Sequence, residues 1–316
     1  MSSEPDHHQA PLAECCANCA TALVGDYCHQ CGQRRLRTED RHFVALIGQF
    51  WEGLTDLDSR FWRSFLRLLF RPGLLSRDYI AGRRQHWMSP VGLFLLANVL
   101  YFFSPGLTDF DLPFDNQVQG DLALASLADP IRQRPEVQEK YGHWGGQAHS
   151  VITSDWVRQR IAARQQQNPS YSVVDYAAEY NRTSSDISRV LIILHVPFLA
   201  LALLGLFPRR GLLFADHFVV GLHLMAWLLF LINLLIAPLD HVIAWFDSRP
   251  GDWQALLQWG SLLLVLAYFS TTLRRVYRVG WARSVLSALL GLAFFYLVGS
   301  ILVYRSLQFL LVFAIT

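Results

Sequence analysis

The chain has almost no lysine: Lys140 is the only one, and every other fixed positive charge is an arginine. The bias runs through the whole sequence without a local pattern, so it reads as compositional and not as a phosphate-binding device. Charge of either sign is scarce. Only 16% of the 316 residues are Asp, Glu, Lys or Arg, well below the quarter usual in soluble domains. Cysteine is absent after Cys31. A secreted disulfide scaffold would spread its cysteines over the exposed parts, so that class is excluded. The opening MSSEPDHHQAPLAE has no basic region followed by an apolar core, so no cleaved secretory signal is expected. There are no paired carboxylates, Ser/His/Asp arrangement, Gly-rich phosphate loop or H-E-x-x-H motif, which disfavours an enzyme.

What the chain does have is apolar sequence. Hydrophobic residues make up 53% of it and mean hydropathy is +0.25. Apolar runs near the length that crosses a bilayer core recur: Trp87–Phe103, Ile187–Phe207, Phe218–Leu239, Ala255–Leu273 and Ser284–Tyr304. The expected fold is therefore an all-α integral membrane protein with about five transmembrane helices. The connections alternate in sign. Arg209 and Arg210 are basic, Asp240, Asp247 and Asp252 are acidic, and Arg274, Arg275, Arg278 and Arg283 are basic again. Basic loops stay in the cytoplasm. That places the N-terminus on the cytoplasmic side of the membrane, and the polar insertion 105–186 and the C-terminus on the other.

The organising stretch is Arg71–Phe103. It opens with a helix stop, Arg71-Pro72-Gly73, passes a polar piece with Arg77, Asp78, Arg83 and Arg84, and enters an uncharged apolar run after Trp87 and Pro90. It reads as the point where a cytoplasmic head meets the membrane. Upstream, Phe43, Ile47, Phe50, Leu54, Leu57, Phe61, Phe65 and Leu69 follow helical spacing. Arg60, Arg63, Arg67 and Arg71 share another face. A basic amphipathic segment over 34–86 is expected to lie on an anionic membrane surface, with Arg60, Arg63, Arg67, Arg77, Arg83 and Arg84 toward the headgroups.

Residues 1–14 form a polar tail expected to be disordered. Behind it, Cys16-Ala-Asn-Cys19 and Cys28-His-Gln-Cys31 form two C-x2-C knuckles eight residues apart. Four thiolates at this spacing close a tetrahedron around Zn2+ with no open position, so the site over 15–33 is structural. Cys15 is spare. A segment this short cannot bury a sufficient core, so the metal supplies its folding energy.

Inside the expected spans the polar groups are His195, His223 and Asn233. They form a possible intramembrane site, though no acid accompanies them. Three functions compete. The first is a non-enzymatic scaffold or regulatory protein whose zinc ribbon docks a cytoplasmic protein; nothing favours nucleic acid. The second is a transporter or channel past His195, His223 and Asn233. The third is a membrane enzyme acting on a lipid or lipid-linked substrate at Arg77, Asp78, Arg83 and Arg84.

Cys16-x2-Cys19 … Gly25-Asp26-Tyr27-Cys28-x2-Cys31-Gly32-Gln33, taken with Arg71-Pro72-Gly73 … Tyr79-Ile80-x-Gly82-x-Arg84 … Pro90, resembles a bacterial domain-of-unknown-function family. Its members join an N-terminal zinc ribbon to a multi-pass membrane region. The resemblance covers about residues 16–100 and implies metal ligands at Cys16, Cys19, Cys28 and Cys31. It brings no activity. Ala20 departs from the pattern, since glycine often follows the second ribbon cysteine.

Overall fold

The computed structural model describes residues 15–35, 59–103, 113–118, 120–127, 133, 135, 150–208, 211–246 and 251–316. The tail 1–14, Phe43 to Leu57 of the expected amphipathic segment, Arg209, Arg210 and Asp247 lie outside the described residues.

Among the described residues the chain is helical apart from two cysteine hairpins. The helices are α1 (Ser59–Phe70), α2 (Leu74–Ile80), α3 (Pro90–Phe103), α4 (Gly120–Ala125), α5 (Ser150–Gln167), α6 (Val173–Leu191), α7 (His195–Leu206), α8 (Phe214–Leu231), α9 (Ala237–Phe246), α10 (Gly251–Tyr277), α11 (Trp281–Phe294) and α12 (Arg305–Ile315). A π-helical turn at Ile232–Ile236 joins α8 to α9, and a longer one at Phe295–Tyr304 joins α11 to α12. The chain divides into two compact units: Met1–Leu100 with Leu199–Leu292, and Tyr101–Phe198 with Ala293–Thr316.

Three helical stretches are long and apolar enough to cross a membrane: Phe214–Ile243, Ala255–Tyr277 and Trp281–Ile315. A bent pair, Val173–Ser188 with Ile192–Leu206, makes a fourth if counted as one span. Five were expected, and the difference lies at α3. The Ser89 hydroxyl accepts the Gly92 N–H at 3.1 Å, and Pro90 takes the first helical position. This N-cap and N1 pairing starts the helix three residues later than the apolar run suggests. At 14 residues, α3 is about 21 Å long against a hydrocarbon core of about 30 Å.

In the first unit α8 is the buried centre, with Val220, Met225, Ala226, Leu229 and Phe230 closed off. Trp227 stacks on Tyr268 of α10 at 3.7 Å, and Phe207 stacks on Tyr277 at 4.0 Å. Tyr79 of α2 packs with Ala215 and Val219 at the start of α8. Between α1 and α2 the chain turns at Pro72-Gly73. Gly73 has φ +74, and a Cβ there would lie 2.9 Å from the Thr272 Cα and carbonyl oxygen. Backbone passes backbone with no room between. Two carbonyls left over at the end of α1 and in its turn find donors on α10. The Tyr268 hydroxyl donates to Leu68 O at 2.5 Å, and Arg275 Nη1 donates to Pro72 O at 2.9 Å.

The second unit has its own core. Phe114, Val118, Val157, Tyr176 and Tyr180 pack with Phe309 and Val312 of α12. Ser172 and Asp175 start α6 with a capping box. This helix runs unbroken through residue 187, where the sequence suggested a boundary between insertion and span. The final apolar segment extends the preceding helix, and Gln308 Nε2 donates to the Ser184 hydroxyl at 2.8 Å.

Gly73→Ala is expected to combine left-handed strain with backbone overlap, a loss of about 2 kcal/mol or more. Gly25 has nothing within 4 Å of a Cβ, so Gly25→Ala is the neutral control. Thermal unfolding of the detergent-solubilised protein should show a lower midpoint for the first variant alone.

Candidate metal centre

The two knuckles repeat one backbone pattern. Cys16 N–H donates to Thr21 O at 2.8 Å, and Ala20 N–H donates to Cys16 O at 2.8 Å. Cys28 N–H donates to Gln33 O at 2.9 Å, and Gly32 N–H donates to Cys28 O at 2.8 Å. Antiparallel bridges close both loops at matching positions, Cys15 to Ala22 and Tyr27 to Arg34. Each loop needs a left-handed residue after its second cysteine. Gly32 has φ +73 and Ala20 has φ +63. The departure noted in the sequence is therefore a strained alanine in a glycine position.

The loops face each other and bring four sulfurs together, all within 4.8 Å of one another. Cys16 Sγ lies 3.6 Å from Cys31 Sγ, and Cys19 Sγ lies 3.5 Å from Cys28 Sγ. A tetrahedral ion with bonds of ~2.3 Å needs sulfurs ~3.8 Å apart, so the donor set fits one. The geometry selects Cys16 over Cys15, whose place is in the bridge to Ala22. The thiols differ as they stand. The Thr21 hydroxyl, helped by the Thr21 N–H, lowers Cys19 to about 6, while burial pushes Cys31 up to about 11. A bound cation would hold all four as thiolates.

Gln33 fixes this hairpin to the elbow. It is buried. Its Nε2 donates to Gly82 O at 2.8 Å, and its Oε1 accepts from the Arg84 and Gln85 N–H groups at 3.2 and 3.3 Å. One side-chain amide thus engages three backbone groups about fifty positions away. Asn18, between Cys16 and Cys19, adds an exposed contact to His86 at 3.4 Å.

The turn that Gln33 grips is itself built on Asp78. This buried carboxylate receives Arg67 on Oδ2 at 2.5 Å and Arg83 on Oδ1, with Arg77 at 3.9 Å. The Arg67 guanidinium lies 4.6 Å over Trp87, and that of Arg84 lies 4.5 Å over Tyr79. Of the arginines expected at headgroups, Arg67 and Arg83 are bonded to Asp78 and Arg84 stacks on an aromatic ring. Arg63 and Arg77 are exposed, and Arg60 is half-buried. Both Asp78 oxygens are engaged, so the Arg77, Asp78, Arg83 and Arg84 group is built as a brace.

Of the three candidate intramembrane residues, His195 and Asn233 are bonded close by, whereas the buried His223 has a partner on Nδ1 and none on Nε2 among the described residues. His195 Nδ1 donates to Ile192 O at 3.2 Å, which leaves Nε2 to accept from Ser300 Oγ at 3.3 Å. His223 Nδ1 bonds the Ser76 hydroxyl of α2 at 2.9 Å. The Asn233 side chain donates to Leu229 O at 2.7 Å within its own helix. His195 and His223 belong to different compact units. Sequence reasoning missed the clamp, although Gln33 stands in the quoted Cys31-Gly32-Gln33 motif.

A family model described as a protein of unknown function (DUF3667) matches residues 58–102. The matched stretch is the elbow itself: α1, the Pro72-Gly73 turn, α2, the Gly82 turn and nearly all of α3. No match was found among curated proteins or among solved structures.

The purified protein is expected to carry one metal ion per chain by elemental analysis. Cys15→Ser should keep it, and Cys28→Ser/Cys31→Ser should lose it. Ala20→Gly should relieve left-handed strain of about 1 kcal/mol, seen as slower metal loss to a competing chelator.

Proposed function

We propose that this is a non-enzymatic scaffold or regulatory protein of a bacterial inner membrane. Its N-terminal hairpins bind a structural Zn2+ in the cytoplasm and present a docking surface for a cytoplasmic protein. The observation that carries the reading is the Gln33 clamp. A metal-folded module held to a juxtamembrane elbow by a buried amide is positioned, whereas a free tail would not be. The closed four-thiol donor set supports a structural over a catalytic metal. In this reading α3 is a short fifth crossing, reached by local thinning of the bilayer and snorkelling of flanking residues. The basic residues Arg274, Arg275, Arg278 and Arg283 then lie on the same side as the hairpins.

The test is a cross-linking pull-down from native membranes with zinc measured in each sample. It compares the intact protein, Cys28→Ser/Cys31→Ser, and Gln33→Ala. The intact protein should hold zinc and capture a defined cytoplasmic protein. The cysteine variant should lose both. Gln33→Ala should keep zinc but hold the partner at least several-fold more weakly, because the hairpins lose three hydrogen bonds worth about 1 kcal/mol each. Zinc binding with the same captured proteins in all three samples, or with none, would refute docking.

A further inference from the structure

Helix α1 has three faces. At about 100° per residue, Phe61, Ser64, Phe65 and Leu68 fall in one sector. Ser64 and Leu68 are buried, and Phe65 meets Phe230 of α8 edge-on at 4.9 Å. The arginines Arg60, Arg63 and Arg67, with Arg71 just beyond the helix end, fall in a second sector about 80° wide. The third sector, also about 80° wide, holds Trp62, Leu66 and Phe70, which are 60%, 51% and 74% exposed. The apolar arc is therefore far wider than the packed face. A surface helix in water would carry polar residues on that outer sector. There is no acid anywhere in α1.

The position of α1 says what covers this face. Phe65 touches Phe230, and Leu68 O is held by the Tyr268 hydroxyl. Phe230 and Tyr268 both lie in stretches long and apolar enough to cross a membrane. The inner face of α1 thus packs against candidate membrane-crossing helices at positions well inside their apolar stretches, and its outer apolar sector lies on the far side of α1 from them. The arginine sector adjoins the outer apolar sector along one edge, where Arg63 is next to Phe70.

We propose that α1 is a lipid-contacting helix: Trp62, Leu66 and Phe70 meet the acyl chains of the cytoplasmic leaflet, and exposed Arg63 reaches back to an anionic phospholipid headgroup. This fits the amphipathic pattern of an interfacial helix, with an aromatic at the boundary and a guanidinium extending toward phosphate. It narrows the arginine set expected from sequence, since Arg67 and Arg83 are engaged by Asp78. It rests on the membrane reading alone. Failure of the docking pull-down would leave it standing.

The full-length protein is expressed with the photo-cross-linker benzoylphenylalanine at Leu66, and separately at Val24 of the hairpins, which is 91% exposed. After irradiation in native membranes the protein is weighed by mass spectrometry. A phospholipid adduct at position 66 and none at position 24 is the expected result. A cross-link from position 66 to residues 36–58 of the chain, to a second copy or to another protein would overturn the proposal, as would no adduct at all. For the headgroup, the protein is placed in nanodiscs with brominated phosphatidylglycerol or brominated phosphatidylcholine at equal mole fraction. The Trp62 signal is taken as wild type minus Trp62→Phe. It should be quenched at least twofold more by the anionic lipid, and Arg63→Gln should remove that preference. Equal quenching in the wild-type background would overturn the anionic assignment.

Discussion

A single buried carboxylate organises the region where the head meets the helices. Asp78 sits on α2 and draws in Arg67 from α1 and Arg83 from the turn that follows. Its backbone carbonyl also accepts the Arg83 N–H at 2.9 Å. These bonds close α1, α2 and the returning chain into one elbow. The tight turn after α2, with Gly82 at φ +86, then points the Gly82 carbonyl and the Arg84 and Gln85 N–H groups outward, where Gln33 takes all three. Without the Asp78 carboxylate the two arginines would lose the charge that draws them together, and the turn that Gln33 reads would be held by its backbone bonds alone. A buried charge left with one partner removed is costly, so the brace is expected to be all or none.

The elbow is fixed to the helices by a different kind of contact. Gly73 lies against the Thr272 backbone, and Tyr268 and Arg275 donate to carbonyls that α1 and its turn cannot satisfy themselves. On the other side Ser76 bonds His223, while Tyr79 packs with Ala215 and Val219. In an apolar setting an unsatisfied hydroxyl or imidazole is unfavourable, so a neutral histidine paired with a hydroxyl can join two helices without charge. His217 does the same with Tyr277 at 2.8 Å. His195 and His223 each bond a hydroxyl from another part of the chain, Ser300 and Ser76, through one ring nitrogen.

Short-range features were readable in the sequence because their geometry is set by neighbours. The knuckle spacing identified the four cysteines whose sulfurs come together, and Arg71-Pro72-Gly73 identified the helix stop. The end of the apolar run near Trp87 was misleading because Ser89-Pro90 sets the start of α3, a capping signal that hydropathy does not weigh. Long-range pairings were not readable. Nothing local to Arg67 or Arg83 says that Asp78 will take them, and nothing in Cys31-Gly32-Gln33 says that its amide meets Gly82. Likewise, the apolar spacing of α1 showed one face from Phe61 to Leu69. Only packing reveals that Trp62, Leu66 and Phe70 form another.

The relative sizes of the interactions set the order in which this head is built. A segment of this length has too little core to fold alone. Three hydrogen bonds from Gln33, at about 1 kcal/mol each, cannot make up that deficit. A four-thiolate zinc site is worth on the order of 10 kcal/mol or more, and can. A bound ion would therefore shape the hairpins first, and Gln33, two residues beyond Cys31, would then stand where the elbow can receive it. The elbow needs no such help, since Asp78, Gly73 and Ser76 tie it to its neighbours independently of the hairpins. The clamp thus joins hairpins whose fold a bound ion would supply to an elbow held by packing, and the Gln33 amide carries three of the hydrogen bonds between them.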